Sequence, residues 1–341
     1  MDHAAVSSRV PFRIVVGLVA ASAALWAAHP GLPADVGAAL EWMADSLAVL
    51  TWPSTICLVA VVVLHYAAAA AAARAAAGVP LPFGELIVTQ FAAAAANRLT
   101  PNGLGGAAVN GRYFHRRGEL APACATAAVF ALAMVGGIAN VLAFATVIGV
   151  GALFGVGGVS GEVSVLVGKI TALVPVPTGI GRWVLVGAAV AAAVVASISC
   201  LRASTLLRRC VRTARTAFAT FTALLGRPAR LTALMSASAA TTLLLATGFA
   251  AVATLTSDGL PAVTFLPLMV GYMVAAAAGN VLPTPGGIGT ADAALVGVLV
   301  AGGMPLAHAM PAVLAFRLVT FWAPAAVGVC VARPLRRRQA L

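Results

Sequence analysis

Two stretches of the chain are near-copies of each other, and each interrupts a long apolar run. Asn97-Arg98-Leu99-Thr100-Pro101-Asn102-Gly103-Leu104-Gly105 returns, with one residue inserted, as Asn280-Val281-Leu282-Pro283-Thr284-Pro285-Gly286-Gly287-Ile288-Gly289. Proline and glycine cannot continue a regular helix cheaply, so each stretch predicts an apolar helix that breaks and restarts. Each break is followed 13 or 14 residues later by a Gly and then a Pro, Gly118 with Pro122 and Gly303 with Pro305. A duplicated broken helix in apolar surroundings points to a carrier whose site lies at the break.

Composition decides what surrounds those breaks. Of the 341 residues, 62% are hydrophobic and only 9% are charged, whereas a soluble domain carries about 25% charged residues. The chain has too little polar surface to cover a globule, so it is an integral membrane protein, all-α and polytopic. The net charge of +12 sits on arginines that flank apolar segments. It therefore sets topology, with basic loops on the cytoplasmic side, and no phosphate-tracking face for nucleic acid is present. Cys57, Cys124, Cys200, Cys210 and Cys330 are scattered without CxxC spacing, as small apolar fillers rather than a disulfide framework or metal site.

The segments order themselves by the positive-inside rule. The first repeat, residues 1–155, is expected to hold spans at 12–28 and 52–73, a hairpin at 83–117 and a span at 120–150. An external connection follows at 156–182. The second repeat, 183–341, is expected to hold spans at 183–201 and 231–255, a hairpin at 262–303 and a span at 305–332. Arg9 and Arg13 before the first apolar run resemble a signal peptide, but a retained first span keeps the two repeats matched. If residues 83–99 crossed the bilayer fully, Arg112, Arg116 and Arg117 would lie outside. The arginines between 202 and 230 would then follow them. A re-entrant hairpin avoids both violations and requires a buried or watery cavity at membrane depth. Three crossings per half make the halves inverted relative to each other, with both termini cytoplasmic. The basic stretch 202–215 fits either an interfacial helix or a solvated loop.

Candidate site residues follow from this layout. Gly103, Gly105 and Gly106, and Gly286, Gly287 and Gly289, with Pro101, Pro283 and Pro285, are expected to free N–H groups at the start of each second limb. A helix N-terminus in a low-dielectric region favours an anion. Arg317 lies about 16 Å into the last span at 1.5 Å per residue, and a lone charge there costs at least about 2.5–3.5 kcal/mol. It must face protein, water or ligand, and Asp292 is the expected partner, either as an internal ion pair or in handling substrate or protons. Asn97 and Arg98 at the first break are candidates for head-group contact, with Asn280 as the counterpart in the second. Glu85 is expected at the interface, and His65 and His308 as packed or interfacial histidines. GxGxxA at Gly103–Ala108 follows no strand, no Walker A sequence is present, and no nucleophile–base or paired-carboxylate spacing is discernible, so the sequence offers no catalytic motif and no cofactor.

At these residues the chain resembles a known family. Pro283-Thr284-Pro285-Gly286-Gly287-Ile288-Gly289 with Asp292, then Ala315-Phe316-Arg317-Leu318-Val319-Thr320-Phe321-Trp322, resembles the signature of the lysylphosphatidylglycerol synthase transmembrane (flippase-like) family. The stretch from Asn97 to Gly106 is similar to its first motif. The resemblance implies a multi-pass protein of the bacterial inner membrane. In two-domain members the membrane part moves an aminoacylated phospholipid to the outer leaflet. Here Asp292 stands where the family usually has Glu, and the chain ends at Leu341, which implies a stand-alone member without the soluble aminoacyl-transfer domain. The expected activity is translocation of an anionic, aminoacylated or polyprenyl-linked lipid, with a lipid carrying a phosphate head group as the partner and a lipid-modifying synthase as a second one. The alternatives are a secondary transporter of a small solute or ion, and an accessory protein or transferase in lipid-linked glycan assembly.

Overall fold

The computed structural model describes residues 51–100, 104–153, 226–256, 265–279 and 289–337, with isolated positions between 215 and 223. The expected spans at 12–28 and 183–201, the connection at 156–182, the basic stretch 202–214 and both break tips (101–103 and 280–288) lie outside the described residues.

The described chain is helical. Four long apolar helices are Trp52–Ala77 (α1), Pro122–Leu153 (α4), Pro228–Leu255 (α5) and a last rod beginning at Leu306. Three begin with proline in the first turn, where its missing N–H costs nothing and its fixed φ favours the helix. Four short helices separate them: Phe83–Leu99 (α2), Leu104–Arg116 (α3), Phe265–Gly279 (α6) and Thr290–Ala301 (α7). The last rod is Leu306–Arg317 (α8), a π-helical turn Leu318–Trp322, and Ala323–Arg337 (α9).

Length separates the two kinds. The 17 residues of α2 reach about 26 Å, at 1.5 Å per residue. The 13 residues of α3 reach about 20 Å. Both fall short of a hydrocarbon core about 30 Å thick. The 26 residues of α1 reach about 39 Å and suffice. The expected Gly–Pro signals mark the ends of the second limbs. After α3 the chain turns at Gly118 and Glu119 (φ 51°) into α4, and after α7 it turns at Gly303 (φ 97°) into α8.

Cross-helix bonds fix the directions. Glu85 meets Arg117, Gln90 meets Asn110, and Asn97 meets Gly106, so α2 and α3 form an antiparallel hairpin. Arg230 donates to the carbonyls of Ala75 and Ala76, while His65 Nδ1 lies 3.0 Å from the Thr241 carbonyl oxygen, so α5 runs antiparallel to α1. Arg98 meets Phe321 and Gly328 meets Phe91, so α9 runs antiparallel to α2. Arg74, the Glu85–Arg117 pair and Arg230 consequently share one end of the bundle.

Packing relies on small residues. Ala70, Ala72, Ala73 and Ala76 of α1 are buried with Leu234, Ala246 and Ala250 of α5. Between apolar helices in lipid, close backbone approach replaces the water-driven term as the source of contact energy. The tightest approach is α9 on α2, where a Cβ on Gly328 would strike the Phe91 carbonyl oxygen. Outward, α1 presents Ile56, Val59, Val63 and Leu64, and α4 presents Phe130, Met134, Ile138 and Val141. Such continuous exposed apolar faces suit acyl chains.

Gly328→Leu is expected to lower the melting temperature in detergent clearly, since overpacking costs about 1–3 kcal/mol or more. Gly137→Leu, where an added Cβ meets nothing within 4 Å, is expected to melt like the wild type. Equal melting of both variants would show that the α2–α9 contact carries no stability.

Candidate functional site

The first break is closed by its own side chains. The Thr100 backbone is extended (φ −130°, ψ 144°), which ends α2. Its hydroxyl donates to the Ala96 carbonyl and accepts from the Gly105 N–H at 2.7 Å. Asn97 Oδ1 accepts from the Gly106 N–H at 2.5 Å. The end of the first limb thus caps the start of the second. Gly105 has no room for a side chain, because a Cβ would meet the Ala96 carbonyl. At the second break, Asp292 Oδ2 accepts the Gly289 N–H at 2.9 Å, with Gly289 at φ 86°. The expectation of free N–H groups at the limb starts is therefore not met at Gly105, Gly106 or Gly289, since each already has an internal acceptor. Pro101, Gly103, Asn280, Pro283, Pro285, Gly286 and Gly287 lie outside the described residues.

Arg317 and Asp292 meet as expected. Arg317 Nε donates to Asp292 Oδ1, and the two side chains are 13% and 9% exposed. Both oxygens of this carboxylate are engaged, one by the arginine and one by the α7 cap. The pair ties the last helix to the second limb of the second broken element.

Arg98 approaches the same place from α2. Its Nη2 donates to the Phe321 carbonyl at 3.1 Å. Its Cζ stands 3.6 Å from the Phe321 ring centroid, and Arg317 Cζ stands 4.2 Å from the same centroid. One aromatic ring thus faces two guanidinium groups. The π-helical turn makes this geometry possible. Pro324 has no N–H to give the Thr320 carbonyl, the Ala323 N–H reaches Leu318, and the widened turn offers the Phe321 carbonyl to Arg98.

These groups line one cavity of about 560 Å³. From α2 it takes Gln90, Ala93, Ala94 and Asn97 beside Arg98, a spacing of three and four that selects one helix face. From α3 it takes Gly106 and Asn110. His65 and Tyr66 enter from the centre of α1, and Tyr272 from α6. Gln90 Nε2 donates to Asn110 Oδ1 at 2.9 Å, and Asn110 Nδ2 donates to the Gly106 carbonyl at 3.1 Å. Tyr66 stacks on Phe91 at 4.1 Å. Two guanidinium N–H groups remain buried without a partner, Arg98 Nε and Arg317 Nη2.

Of the expected residues, the structure gathers Asn97, Arg98, Gly106 and Arg317 on the cavity wall, with Asp292 behind Arg317 and Gly105 and Gly289 in the two turns. Glu85 pairs with Arg117 at the base of the hairpin, at 2.9 Å, and His308 is exposed, as an interfacial residue would be. His65 is not merely packed, because it lines the cavity. Gln90, Tyr66, Asn110, Tyr272 and Phe321 were not singled out for this wall. Gln90 carried a usable signal, being seven residues before Asn97 in an otherwise apolar run.

The sequence profile of the family described as Lysylphosphatidylglycerol synthase TM region matches residues 12–328. The chain belongs to that family. No curated protein matches it significantly. Membership fits the apolar helices and the arginine-bearing cavity, and it places the protein among multi-pass membrane proteins with a lipid-related function.

Removing one member of a buried ion pair strands the other, at a cost of about 3–5 kcal/mol. Asp292→Ala is therefore expected to reduce stability strongly, and the Asp292→Ala/Arg317→Ala double variant to recover much of the loss. Thermal melting of the three variants in detergent checks this. Additive losses would mean that the two side chains do not interact.

Proposed function

We propose that the protein translocates a phosphate-bearing lipid between membrane leaflets. The head group occupies the cavity between the two broken elements, while the acyl chains stay in the bilayer. The observation that carries this reading is the pair of arginines, Arg98 and Arg317, on the wall of one 560 Å³ cavity among apolar helices, each with a buried guanidinium N–H that has no partner. An arginine in that setting needs a ligand or water, and its planar fork suits phosphate oxygens. Because the limb N–H groups at Gly105, Gly106 and Gly289 are spent on internal caps, Arg98 and Arg317 hold the anion in this reading. Asp292 balances Arg317 and fixes its rotamer. Asn97 and Gly106 contribute the wall beside them.

The rest of the layout follows the same proposal. Two inverted repeats, each with a re-entrant broken element, rock about the cavity and open it to one leaflet and then the other. The protein sits in the cytoplasmic membrane of a bacterium with both termini inside. Transport runs downhill or is coupled to an ion gradient. The lipid is delivered by a synthase that modifies its head group.

Reconstitution into liposomes with fluorescent lipids tests this reading. Wild-type protein is expected to expose inner-leaflet probe to an external quencher faster than empty liposomes. Arg317→Ala in the Asp292→Ala background is expected to slow that exposure at least about tenfold, the weight of one charge-assisted hydrogen bond. A double variant moving lipid at the wild-type rate would remove these residues from the mechanism.

A further inference from the structure

We infer that the cavity selects a lipid phosphodiester of single negative charge with an uncharged, hydroxyl-bearing head, and that it disfavours a cationic aminoacyl head. The inference rests on the translocation reading for its setting, but it concerns what binds and stands on the charge balance of the wall. Arg98 and Arg317 bring two positive charges, and Asp292 brings one negative charge. Among the described residues, one positive charge is left over. A phosphodiester carries one negative charge and neutralises it, whereas a phosphomonoester carries about −1.5 to −2 near neutral pH and overshoots.

A cationic head group needs its own counter-charge in the same low-dielectric space. Asp292 cannot supply it, since Oδ1 takes Arg317 Nε and Oδ2 takes the Gly289 N–H. Glu85 is bound to Arg117 at the base of the hairpin. Among the described residues no other carboxylate contacts the wall. The Phe321 ring, an alternative seat for an ammonium, already faces both guanidinium groups. What the wall still offers is the guanidinium groups of Arg98 and Arg317, each with one N–H still without a partner, for phosphate oxygens, and the uncharged amides of Gln90 and Asn110 as partners for hydroxyls.

Binding to the purified full-length chain in neutral detergent, read by intrinsic fluorescence, separates these possibilities. The probes are short-chain phosphatidylglycerol, phosphatidylcholine, lysyl-phosphatidylglycerol and the water-soluble glycerol 3-phosphate. Phosphatidylglycerol is expected to bind at least about tenfold more tightly than each of the others, one charge-assisted contact being worth that much. Arg98→Gln is expected to weaken phosphatidylglycerol binding at least about tenfold and so erase that advantage, since it removes a charge-assisted contact and the wall's surplus positive charge. Arg98→Lys, which keeps the charge and the interior balance but loses the fork, is expected to retain the preference with weaker binding, and it serves if the Gln variant does not fold. Equal or tighter binding of phosphatidylcholine or lysyl-phosphatidylglycerol would overturn the inference, as would an unchanged preference in Arg98→Gln. Glycerol 3-phosphate binding as tightly as phosphatidylglycerol would assign the site to a soluble phosphate compound. Selective binding without movement across liposomes would leave this inference intact and overturn only the translocation reading.

Discussion

A guanidinium held deep among apolar helices is the constraint from which the rest of this structure follows. Arg317 cannot face acyl chains at that depth without a large insertion cost. Asp292 answers it from the first turn of α7, and it can stand there only because α6 has ended and a new helix begins. The carboxylate also caps that new helix through the Gly289 N–H. One acid therefore serves two needs, closing the helix terminus and neutralising the arginine. An uninterrupted helix from 265 to 301 would have no open N–H for the acid to cap.

The first broken element solves the same problem without an acid. Its limb start is capped by Asn97 and Thr100, which carry no charge, and among the described residues no carboxylate pairs with Arg98. It takes the Phe321 carbonyl and ring instead, both exposed by the π-helical turn beside Pro324. The two breaks look alike in sequence, yet one neutralises its arginine and the other leaves it charged. Among the described residues, the surplus positive charge of the cavity comes from that asymmetry, and it is what the proposed preference for an anion rests on.

Much of this was legible in the residues. Pro and Gly in the middle of apolar runs announced the breaks, and Gly118–Pro122 and Gly303–Pro305 announced where the second limbs end. Arg317 and Asp292 could be matched because buried charges are rare and must find each other. The capping of Gly105 and Gly106 was not legible. Glycine-rich turns suggest open N–H groups, and only the fold shows that Asn97 and Thr100 already fill them. The cavity wall was also hard to read. Alanine occupies both faces of α1 and α2, including the run Ala92 to Ala96, so no amphipathic period marks which side faces inward. Single polar residues such as Gln90 and His65 then carry the whole signal, and alone they read as packed side chains.

Arg98 also links parts of the chain that are far apart in sequence. It belongs to the first broken element, and the carbonyl it holds belongs to the last helix. An anion that reaches Arg98 draws on the same guanidinium that holds that carbonyl, and an anion that reaches Arg317 draws on the guanidinium that shares the Phe321 ring. In the translocation reading, binding at this cavity would alter the contact between α2 and the last helix, because the guanidinium groups proposed to hold a phosphate also join the helices. The tight seat of Gly328 on Phe91, about two turns from Arg98 along α2, offers a fixed point against which such a change would be worked. A cavity built this way couples what it contains to how its walls are arranged, which is the physical requirement for exposing one site to two sides of a membrane in turn.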